Sequence, residues 1–195
     1  MSTMIRVRPL IQQDIESITA IYNHYILNST ITFEEEAIAP SVMEQRIQII
    51  LERDLPWLVA EESNEIIGYA YAGIFKDRSA YRFTSEITVY VRPDIRQKGV
   101  GTQLYKELFK QLKGKVRTCV GCITLPNPAS IALHEKFGMK PVGTFENVGF
   151  NNIDIHQLIL LQGSEMAEPK ERAKFNFYGN SCANKFFTIA FADGL

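Results

Sequence analysis

The sequence of 195 residues has little of what marks several specialised classes of protein. Its three cysteines are too few, and odd in number, for the disulfide framework of a small secreted domain. Its net charge is -1 and its basic residues are scattered, so no surface for nucleic acid is indicated. Its longest apolar runs, such as Leu158–Leu161, are too short to span a bilayer. We therefore expect a cytoplasmic enzyme or binding domain with neither nucleic-acid nor membrane partners.

Two of the cysteines, Cys119 and Cys122, form a single C-x-x-C pair. Such a pair can bind a metal or carry redox chemistry, but no second pair and no nearby histidine completes a four-ligand site. The pair lies in the strand-like run Arg117–Thr124, where an offset of three residues places the two side chains on opposite faces. We therefore predict small buried side chains here and no metal site.

Hydrophobic periodicity along the chain predicts short strands and amphipathic helices. The predicted strands are Ile5–Pro9, Trp57–Glu61, Ile66–Ile74, Thr84–Val91, Thr118–Thr124, Lys140–Glu146 and Asn152–Leu161. The predicted helices begin after Asp14, at a capping box in Ser41–Glu44, at Val100 and at Asn127. The resulting order, β-α-α-β-β-β-α-β-α-β-β, indicates an α/β or α+β domain with a mixed sheet and helices on both faces.

The alternation of strands and helices ends before the chain does. Residues 1–162 carry it, so we predict that they form one domain. The stretch 163–174 is rich in charge and is typical of a linker, whereas 175–195 is aromatic without a helical or strand period. We predict that residues 163–195 are a C-terminal extension outside the core.

The loop Arg96–Gly101 has the pattern R-x-x-G-x-G and connects a predicted strand to a predicted helix. Its two glycines, Gly99 and Gly101, allow backbone N–H groups to approach an anionic ligand, and the helix N-terminus adds unpaired donors. The pattern is neither a dinucleotide-binding G-x-G-x-x-G nor a Walker loop. Taken alone, it fits an anion site and a tight strand-to-helix turn equally well.

Polar side chains recur on one face of the last predicted helix. Asn127, Ser130 and His134 are spaced i, i+3 and i+7, so they share a face that can be a ligand site or a solvated surface. A lone histidine is more often structural than catalytic. Glu86, in the middle of a β-branched strand, can be a functional acid or a residue on a solvated strand face.

The sequence resembles the GNAT superfamily of N-acetyltransferases, and within it the phosphinothricin and methionine sulfone/sulfoximine N-acetyltransferases, from about Ile5 to Gln162. The blocks that carry the resemblance are Ala20–Tyr25, Gly68–Ala70, Ala80–Thr84, Glu86, Thr88–Val91, Arg96–Gly101 and Asn127–Gly138. The resemblance implies a GNAT-like, mostly antiparallel sheet in an N-acetyltransferase domain of residues 1–162. It also implies acetyl-CoA as co-substrate, the amine of a small amino-acid-like molecule as acceptor, and a homodimer.

The resemblance assigns the cofactor site mainly to the backbone. Amides between Gln97 and Thr102 would hold the pyrophosphate of acetyl-CoA. The strand around Tyr90 would bind the pantetheine arm as a further strand, and an amide there would polarise the thioester carbonyl. The implied cofactor-binding residues are Val89, Tyr90, Val91, Arg96, Gln97, Lys98, Gly99, Val100, Gly101, Thr102, Asn127 and Ser130.

The resemblance also implies catalytic and acceptor-binding roles. Glu86 would be the general base that deprotonates the substrate ammonium through a water. His134 stands where many members have a tyrosine that protonates the departing thiolate, and an imidazole can be that acid or part of a proton relay. The implied acceptor-binding residues are Lys76, Asp77, Arg78, Arg82 and Thr88. An arginine there can bind a carboxylate or phosphinate with two parallel hydrogen bonds, although ordinary surface charge explains the two arginines equally well.

Two positions depart from the narrower group. Asn151 and Ile155 stand where relatives carry a lysine and a tryptophan, which leaves the exact acceptor open. An enzyme that acetylates a peptide or protein N-terminus is one alternative, and a non-catalytic acetyl-CoA-binding module is another. The presence of both Glu86 and His134 argues against a module that only binds, because such a module needs neither.

Overall fold

The fold is known from a computed structural model, which describes residues 4–95, 99–150 and 155–164. Within these ranges the chain forms seven strands and four α-helices. The strands are β1 (Arg6–Pro9), β2 (Trp57–Glu62), β3 (Glu65–Ile74), β4 (Thr84–Val91), β5 (Thr118–Leu125), β6 (Lys140–Phe150) and β7 (Ile155–Ser164). The helices are α1 (Ile15–Asn28), α2 (Pro40–Leu51), α3 (Val100–Leu112) and α4 (Pro128–Lys136).

The strands form one mixed sheet in the order β1-β2-β3-β4-β5-β7-β6. Every neighbouring pair is antiparallel except β4 and β5, which run parallel. Parallel neighbours need a crossover connection, and α3 supplies it between these two strands. The predicted order of elements and the predicted α/β class, with a mixed and mostly antiparallel sheet, are confirmed.

Helices cover both faces of the sheet. On one face α3 buries Leu104, Leu108 and Leu112, which recur every four residues and so form a single apolar stripe. On the other face α1 and α2 bury Ile18 and Ile47 in a separate cluster. In the described part of the chain, no helix is both long and apolar enough to cross a membrane.

Strand β4 divides its side chains between these two layers. Ile87 belongs to the core under α3, and Val89 and Val91 pack against that core. Tyr90 packs against the cluster under α1 and α2. Because side chains alternate along a strand, Glu86 faces the α1–α2 side together with Tyr90.

Two short sequence patterns determine local structure, one at the β2–β3 turn and one at the start of α4. The β2–β3 hairpin turns at Ser63 and Asn64, whose φ angles of 51° and 66° give the mirrored turn that matches the twist of paired strands. Asn127 caps α4, where its Oδ1 accepts the N–H of Ser130 at 3.1 Å. The predicted start of α4 is confirmed.

The predicted start of α2 is wrong. The capping box proposed at Ser41–Glu44 does not form, because α2 begins at Pro40 and its N-cap is Ala39, which makes no side-chain capping hydrogen bond. The fixed φ of proline suits the first helical position, where an N–H is not needed. Pro40 therefore starts the helix one residue before the serine.

The last strand reaches beyond the predicted domain boundary at residue 162. Gly163 and Ser164 continue β7 and lie opposite Cys119 and Thr118 of β5. The rest of the predicted extension, residues 165–195, lies outside the described residues.

The side chain of Arg8 links β1 to the start of α1 through ion pairs. Its Nη1 and Nη2 donate to the two carboxylate oxygens of Asp14 at 2.6 and 2.9 Å, and its Nε donates to Glu61 at 2.7 Å. Asp14 is 4% exposed and also accepts the N–H of Ile11 at 2.8 Å. Burial acts to raise the pKa of Asp14, but the hydrogen bonds from Arg8 and Ile11 outweigh it, so this pKa lies below the ordinary 3.8.

We expect Asp14→Asn to lower the free energy of unfolding by about 2 kcal/mol at pH 7, because it leaves the half-buried Arg8 with Glu61 as its one remaining carboxylate partner of the two. A carboxyl with a lowered folded-state pKa stabilises the protein above its unfolded pKa, and this stabilisation fades as the pH falls. Urea unfolding at pH 7 and pH 3 measures both effects.

Asp94→Asn is the control for this measurement, because Asp94 pairs with Arg92 at an exposed position. We expect its free energy of unfolding to stay within about 0.5 kcal/mol of the wild type. A difference between wild type and Asp14→Asn that is the same at both pH values would contradict the role given to the ionised carboxyl.

Candidate active site

The parallel pair β4–β5 separates near its middle. Three residue pairs join the two strands, and the last of them is Glu86 with Val120. Beyond that pair, β4 continues to Val91 and β5 to Leu125 without pairing to each other, and both strands are fully described. A cleft therefore opens between two neighbouring strands in the middle of the sheet.

The cleft receives backbone hydrogen-bonding groups from β4. The N–H of Arg92 donates to the carbonyl of Ile67 at 2.8 Å, so Gly68 and Val91 are a non-hydrogen-bonded pair of the antiparallel β3–β4 ladder. The N–H and C=O of Val91 therefore point away from β3, and the same holds two residues earlier for Val89. Because β5 has parted from β4 here, an extended ligand can pair with these groups as another strand would.

One of these backbone groups is held by α1. The hydroxyl of Tyr25 donates a hydrogen bond to the carbonyl oxygen of Val91 at 2.6 Å. This contact fixes the end of β4 against the helix. It leaves the N–H of Val91 and both backbone groups of Val89 directed into the cleft.

A small cavity of about 50 Å³ marks the inner wall of the cleft. Its lining comes from five parts of the chain and consists of Ile31, Ile87, Thr88, Val89, Tyr90, Tyr105, Cys122, Ile123, Thr124, Asn127, Ser130 and His134. The predicted site residues in this set are Thr88, Val89, Tyr90, Asn127, Ser130 and His134. The fold thus brings together residues from both blocks that the sequence singled out around β4 and α4.

Glu86 lies where the cleft begins, partly buried on the α1–α2 side of the sheet. Burial raises the pKa of its carboxyl above the ordinary 4.5, and a hydrogen bond with the side chain of Cys122 acts in the opposite direction. On the same face, Thr88 lies opposite Tyr71 of β3. A carboxyl with a raised pKa beside a cleft is suited to accept a proton near neutral pH.

His134 approaches the cleft from the opposite face of the sheet. Its ring lies against Gly121 of β5, where a Cβ atom would come within 2.6 Å of the imidazole. Its Nδ1 lies 2.8 Å from the carbonyl of Ser130, which can only accept, so Nδ1 carries the proton and Nε2 accepts the Tyr105 hydroxyl at 2.9 Å. Burial lowers the pKa of His134, against the effect of the Ser130 hydrogen bond. The imidazole is therefore neutral at pH 7, with both nitrogens hydrogen-bonded.

The predicted anion loop is described in part, since residues 96–98 lie outside the described ranges. Gly99 has a φ of 99°, in the left-handed region that favours glycine, and it is the N-cap of α3. The amides of Val100, Gly101 and Thr102 form the first turn of that helix and have no acceptor within it. They supply the unpaired donors that an anion needs.

The charged members of the predicted acceptor set lie between β3 and β4, outside the lining of the small cavity; they are Lys76, Asp77, Arg78 and Arg82. Two of these cations rest on aromatic rings. The Nζ of Lys76 is 5.6 Å from the ring centre of Tyr81, and the guanidinium carbon of Arg82 is 4.6 Å from that of Phe83. Asp77 and Arg78 are exposed.

The two positions that depart from the narrower family group stay untested. Asn151 lies outside the described residues, and Ile155 begins β7 with a side chain that is likewise outside them. Any effect of these two residues on the acceptor remains a prediction.

Sequence reasoning missed two residues of the cleft, Tyr105 and Cys122. Tyr105 lies in α3 beside the buried Leu104 and carries no signal in the sequence that distinguishes it from core. The two cysteines do face opposite sides: Cys119 is in the core under α3, whereas Cys122 is half-buried and lines the cavity. The register of β5 against β4, which places Cys122 beside Glu86, has no local sequence signal.

A larger cavity of about 760 Å³ lies away from the cleft, between α1 and the β2–β3 hairpin. Charged groups that line it pair with one another, Arg8 with Asp14 and Glu61, and Arg92 with Glu65. None of the predicted site residues that the structure describes lines this cavity. In the described ranges, no three His, Cys, Asp or Glu side chains are grouped to hold a metal ion. We therefore place the functional site at the β4–β5 cleft.

Known proteins match the chain across this region. Residues 18–139 match the model of the Acetyltransferase (GNAT) family. The phosphinothricin N-acetyltransferase of Streptomyces viridochromogenes is 36% identical over 155 residues, which are 79% of this chain and 84% of the relative. The L-methionine sulfoximine/L-methionine sulfone acetyltransferase of Pseudomonas aeruginosa is 33% identical over 138 residues, which are 70% of this chain and 80% of the relative.

A solved structure shares the fold as well. The phosphinothricin acetyltransferase of Sinorhizobium meliloti, in complex with acetyl-CoA, matches with a TM-score of 0.78 at 34% identity, over 84% of this chain and 89% of that one. The region that the family model matches, residues 18–139, contains the parted strands, Glu86 and α4. The chain therefore belongs to the acetyltransferase (GNAT) family and is an acetyl-CoA-dependent N-acetyltransferase.

Proposed function

We propose that the acceptor is the amine of a small amino-acid-like molecule, of the phosphinothricin or methionine sulfone/sulfoximine kind, and that this amine attacks the thioester directly. The observation that carries the proposal is the cleft itself. It offers free backbone groups to one extended ligand, with a carboxyl of raised pKa on one face and a neutral imidazole on the other. Relatives of 36% and 33% identity that act on such acceptors support the same choice.

We propose that acetyl-CoA lies along β4. The N–H and C=O of Val89 and the N–H of Val91 pair with the pantetheine arm, and one of these amides polarises the thioester carbonyl. The Oδ1 of Asn127 is engaged by the Ser130 amide, so Asn127 offers its Nδ2 to the arm, and Ser130 offers its hydroxyl. Tyr90 holds the strand in place for the arm, since its N–H and C=O face Tyr69 of β3 and its ring packs under α1.

The pyrophosphate is assigned to the start of α3. There the amides from Gly99 to Thr102 and the helix dipole favour an anion. We propose that the remaining loop residues, Arg96, Gln97 and Lys98, complete this site. Their two cations and three amides have the chemistry that a pyrophosphate needs.

We propose that Glu86 removes a proton from the substrate ammonium, through a water. The free amine then forms a bond to the carbonyl carbon, and its nitrogen releases a second proton to water. The C–S bond breaks, and the electron pair leaves on the thiolate of CoA. Charge that develops on the carbonyl oxygen is stabilised by the backbone amide of β4. The raised pKa of Glu86 favours this step, because a carboxylate of ordinary pKa is a weak base at neutral pH.

We propose that His134 acts in a relay with Tyr105 rather than as a direct acid. In its neutral form the only N–H of His134 is bound to Ser130, so it has no free proton to give to the thiolate. The Tyr105 hydroxyl donates to Nε2 of His134, and Tyr105 lines the cavity, so the hydroxyl can turn toward the leaving sulfur. In this step, Tyr105 gives its proton to the thiolate of CoA, and a water in the cleft then reprotonates the tyrosinate, which donates to His134 again.

We propose that the segment between β3 and β4 recognises the acid group of the acceptor. Arg78 and Arg82 are the candidates for a carboxylate or phosphinate, with Lys76 and Asp77 beside them. Thr88 faces the same side of the sheet as Glu86 and lines the cavity, which suits it to contact the amine end. The segment enters β4 at Thr84, two residues before Glu86.

We also propose that the enzyme works in the cytoplasm as a homodimer, without nucleic-acid or membrane partners. Cys119 and Cys122 form no disulfide, which suits a reducing compartment. The edge strand β6 presents Val142 and Val148, 56% and 41% exposed, to a possible partner copy. We propose that the C-terminal extension is not part of the catalytic unit, because β7 completes the sheet by Ser164.

The acceptor is tested by thiol release from acetyl-CoA with a panel of methionine sulfone, methionine sulfoximine, phosphinothricin, the common amino acids and a short peptide. We expect strong turnover with the sulfone, sulfoximine or phosphinate members. Turnover with the peptide alone would replace the proposed acceptor by a protein N-terminus. If no member of the panel gives thiol release while acetyl-CoA still raises the melting temperature, the protein binds acetyl-CoA without catalysis.

For the base, we expect Glu86→Gln to lower kcat by about 100-fold or more at pH 7, since general-base catalysis is worth that much. In the wild type, kcat falls as the pH drops through a Glu86 pKa that lies above 4.5, and the variant lacks this acidic limb. Glu146→Gln, at an exposed position of β6, is the matched control and keeps full activity. An unchanged rate and pH profile in Glu86→Gln would remove Glu86 from the mechanism.

For the relay, we expect Tyr105→Phe to lower kcat by about tenfold or more while the Michaelis constant for acetyl-CoA stays near the wild-type value. Tyr69→Phe deletes the same atom from another fully buried tyrosine, on the other face, and is the control. Steady-state kinetics with the best acceptor of the panel give both constants. Equal rates for the two variants would show that Tyr105 only packs.

A further inference from the structure

Cys122 stands beside the proposed general base because of the way β4 and β5 part. Their last shared pair is Glu86 with Val120, and Cys122 follows two residues later on β5. Side chains two residues apart on a strand share a face, so Cys122 projects toward the α1–α2 side, as Glu86 does. Cys119 and Ile123 belong to the core on the opposite face.

Chemistry decides which of the two side chains, Cys122 or Glu86, can donate a hydrogen bond to the other. The side chains of Cys122 and Glu86 share a face next to each other, and each affects the pKa of the other. A second negative charge beside a carboxylate is unfavourable, so the carboxyl ionises and the thiol keeps its proton. In a hydrogen bond between the two, the S–H of Cys122 is therefore the donor and the Glu86 carboxylate is the acceptor.

Cys122 also touches the place where the reaction occurs. Its side chain lines the small cavity of the cleft, together with Thr88, Tyr105 and His134. A group with one side on the general base and the other on the cleft can fix where the carboxylate points. No covalent step is required of it, since the thiol stays protonated throughout.

We propose that Cys122 is a positioning residue for Glu86, whose S–H donor holds the ionised carboxylate at the mouth of the cleft, aimed at the acceptor amine. This inference rests on the proposed role of Glu86 as general base. It gives the C-x-x-C sequence a function in which only its second cysteine takes part.

The acid strength of Glu86 reflects the same contact. Burial raises the pKa of Glu86, and the hydrogen bond from Cys122, which favours the charged form, limits that rise. Conversely, burial and the neighbouring carboxylate both raise the pKa of Cys122, which keeps the thiol protonated. Loss of the donor should therefore raise the pKa of Glu86 further.

Other titratable groups near Glu86 do not change charge in the pH range where the pKa of Glu86 would be measured. Tyr71 on β3 and Tyr105 on α3 are the further groups with a charge interaction with Glu86 among the described residues. Burial raises the pKa of both, so each is protonated wherever a carboxyl titrates. Glu34, in the loop between α1 and α2, and Arg46, on α2, pair with each other and act on Tyr71.

The test compares the pH dependence of kcat, at saturating acetyl-CoA and acceptor, for Cys122→Ala and Cys122→Ser. In Cys122→Ala we expect the acidic limb to move upward by about 0.5 to 1 pH unit, because one hydrogen bond to the charged form is lost. Cys122→Ser keeps a donor in the same place, so its limb should lie at or below that of the wild type. The limiting rate at high pH shows whether the carboxylate is also misdirected in Cys122→Ala.

Cys119→Ser is the matched control, since it changes a thiol on the same strand but on the opposite face. We expect its acidic limb to coincide with that of the wild type, and thermal melting of all three variants shows that they are folded. Coincident limbs in Cys122→Ala and the wild type would overturn the inference. A shift of equal size in Cys122→Ala and Cys122→Ser would do so too, because it would come from packing and not from a donor.

The Glu86→Gln variant distinguishes a failure of the proposed role of Cys122 from a failure of the proposed role of Glu86. If Glu86→Gln lacks the acidic limb and Cys122→Ala leaves it in place, Glu86 is the base and Cys122 does not position it. If Glu86→Gln retains the limb, Glu86 is not the base, and the reason for assigning Cys122 a role disappears with it.

Discussion

The active site depends on one defect in an otherwise continuous sheet. Strands β4 and β5 are held together over three residue pairs and then part, so backbone groups at Val89 and Val91 lose the partner that a neighbouring strand would give them. Buried backbone groups that lack a partner are costly, and a ligand that supplies one gains that energy on binding. The pantetheine arm of acetyl-CoA is itself a chain of amides, so it can fill the place of the missing strand. Because β4 lies in the middle of the sheet, everything packed on either face also borders the cleft.

The two faces of the sheet give the cleft two different environments. Toward α1 and α2, where Glu86 lies, aromatic rings form a layer; Trp57 and Tyr71 stack at 4.1 Å and Tyr69 and Tyr90 at 5.4 Å between ring centres. This apolar layer excludes water, and desolvation is the largest cause of the raised pKa of Glu86. Toward α3 and α4, burial keeps His134 neutral and ties both of its nitrogens. The proposed proton acceptor and the proposed proton relay thus lie on opposite faces of the sheet, which suits an attacking amine on one side and a leaving thiolate on the other.

Several contacts position the strands and helices that surround the cleft. Tyr25 ties the carbonyl of Val91 to α1, and the bidentate contact of Arg8 with Asp14 ties the start of α1 to β1. Gly121 has no Cβ atom, which allows the His134 ring to lie flat against β5. These contacts join residues that are 13 to 66 positions apart or lie on different elements, and two of them hold the strands that border the cleft to their covering helices.

Much of the fold could be predicted because its signals are local. Leucines every four residues set α3, alternation set β4, and Asn127 followed by a proline set the start of α4. The start of α2 was misjudged because two local signals competed, and Pro40 at the first helical position prevailed over the serine that follows it. The glycine loop and the polar face of α4 were likewise visible, since each is a short pattern whose chemistry depends on adjacent residues.

By itself, the sequence determined the order of elements, the family and the residue types available for acetyl transfer, because these depend on periodicity and short motifs. The tertiary structure decided which of those residues share a space. The register of β5 against β4 brought Cys122 to Glu86, and the packing of α3 against α4 brought Tyr105 to His134 and engaged the imidazole on both sides. Such contacts are set by the pairing of distant strands and helices, and no local pattern in the chain encodes a partner that lies 29 or more residues away.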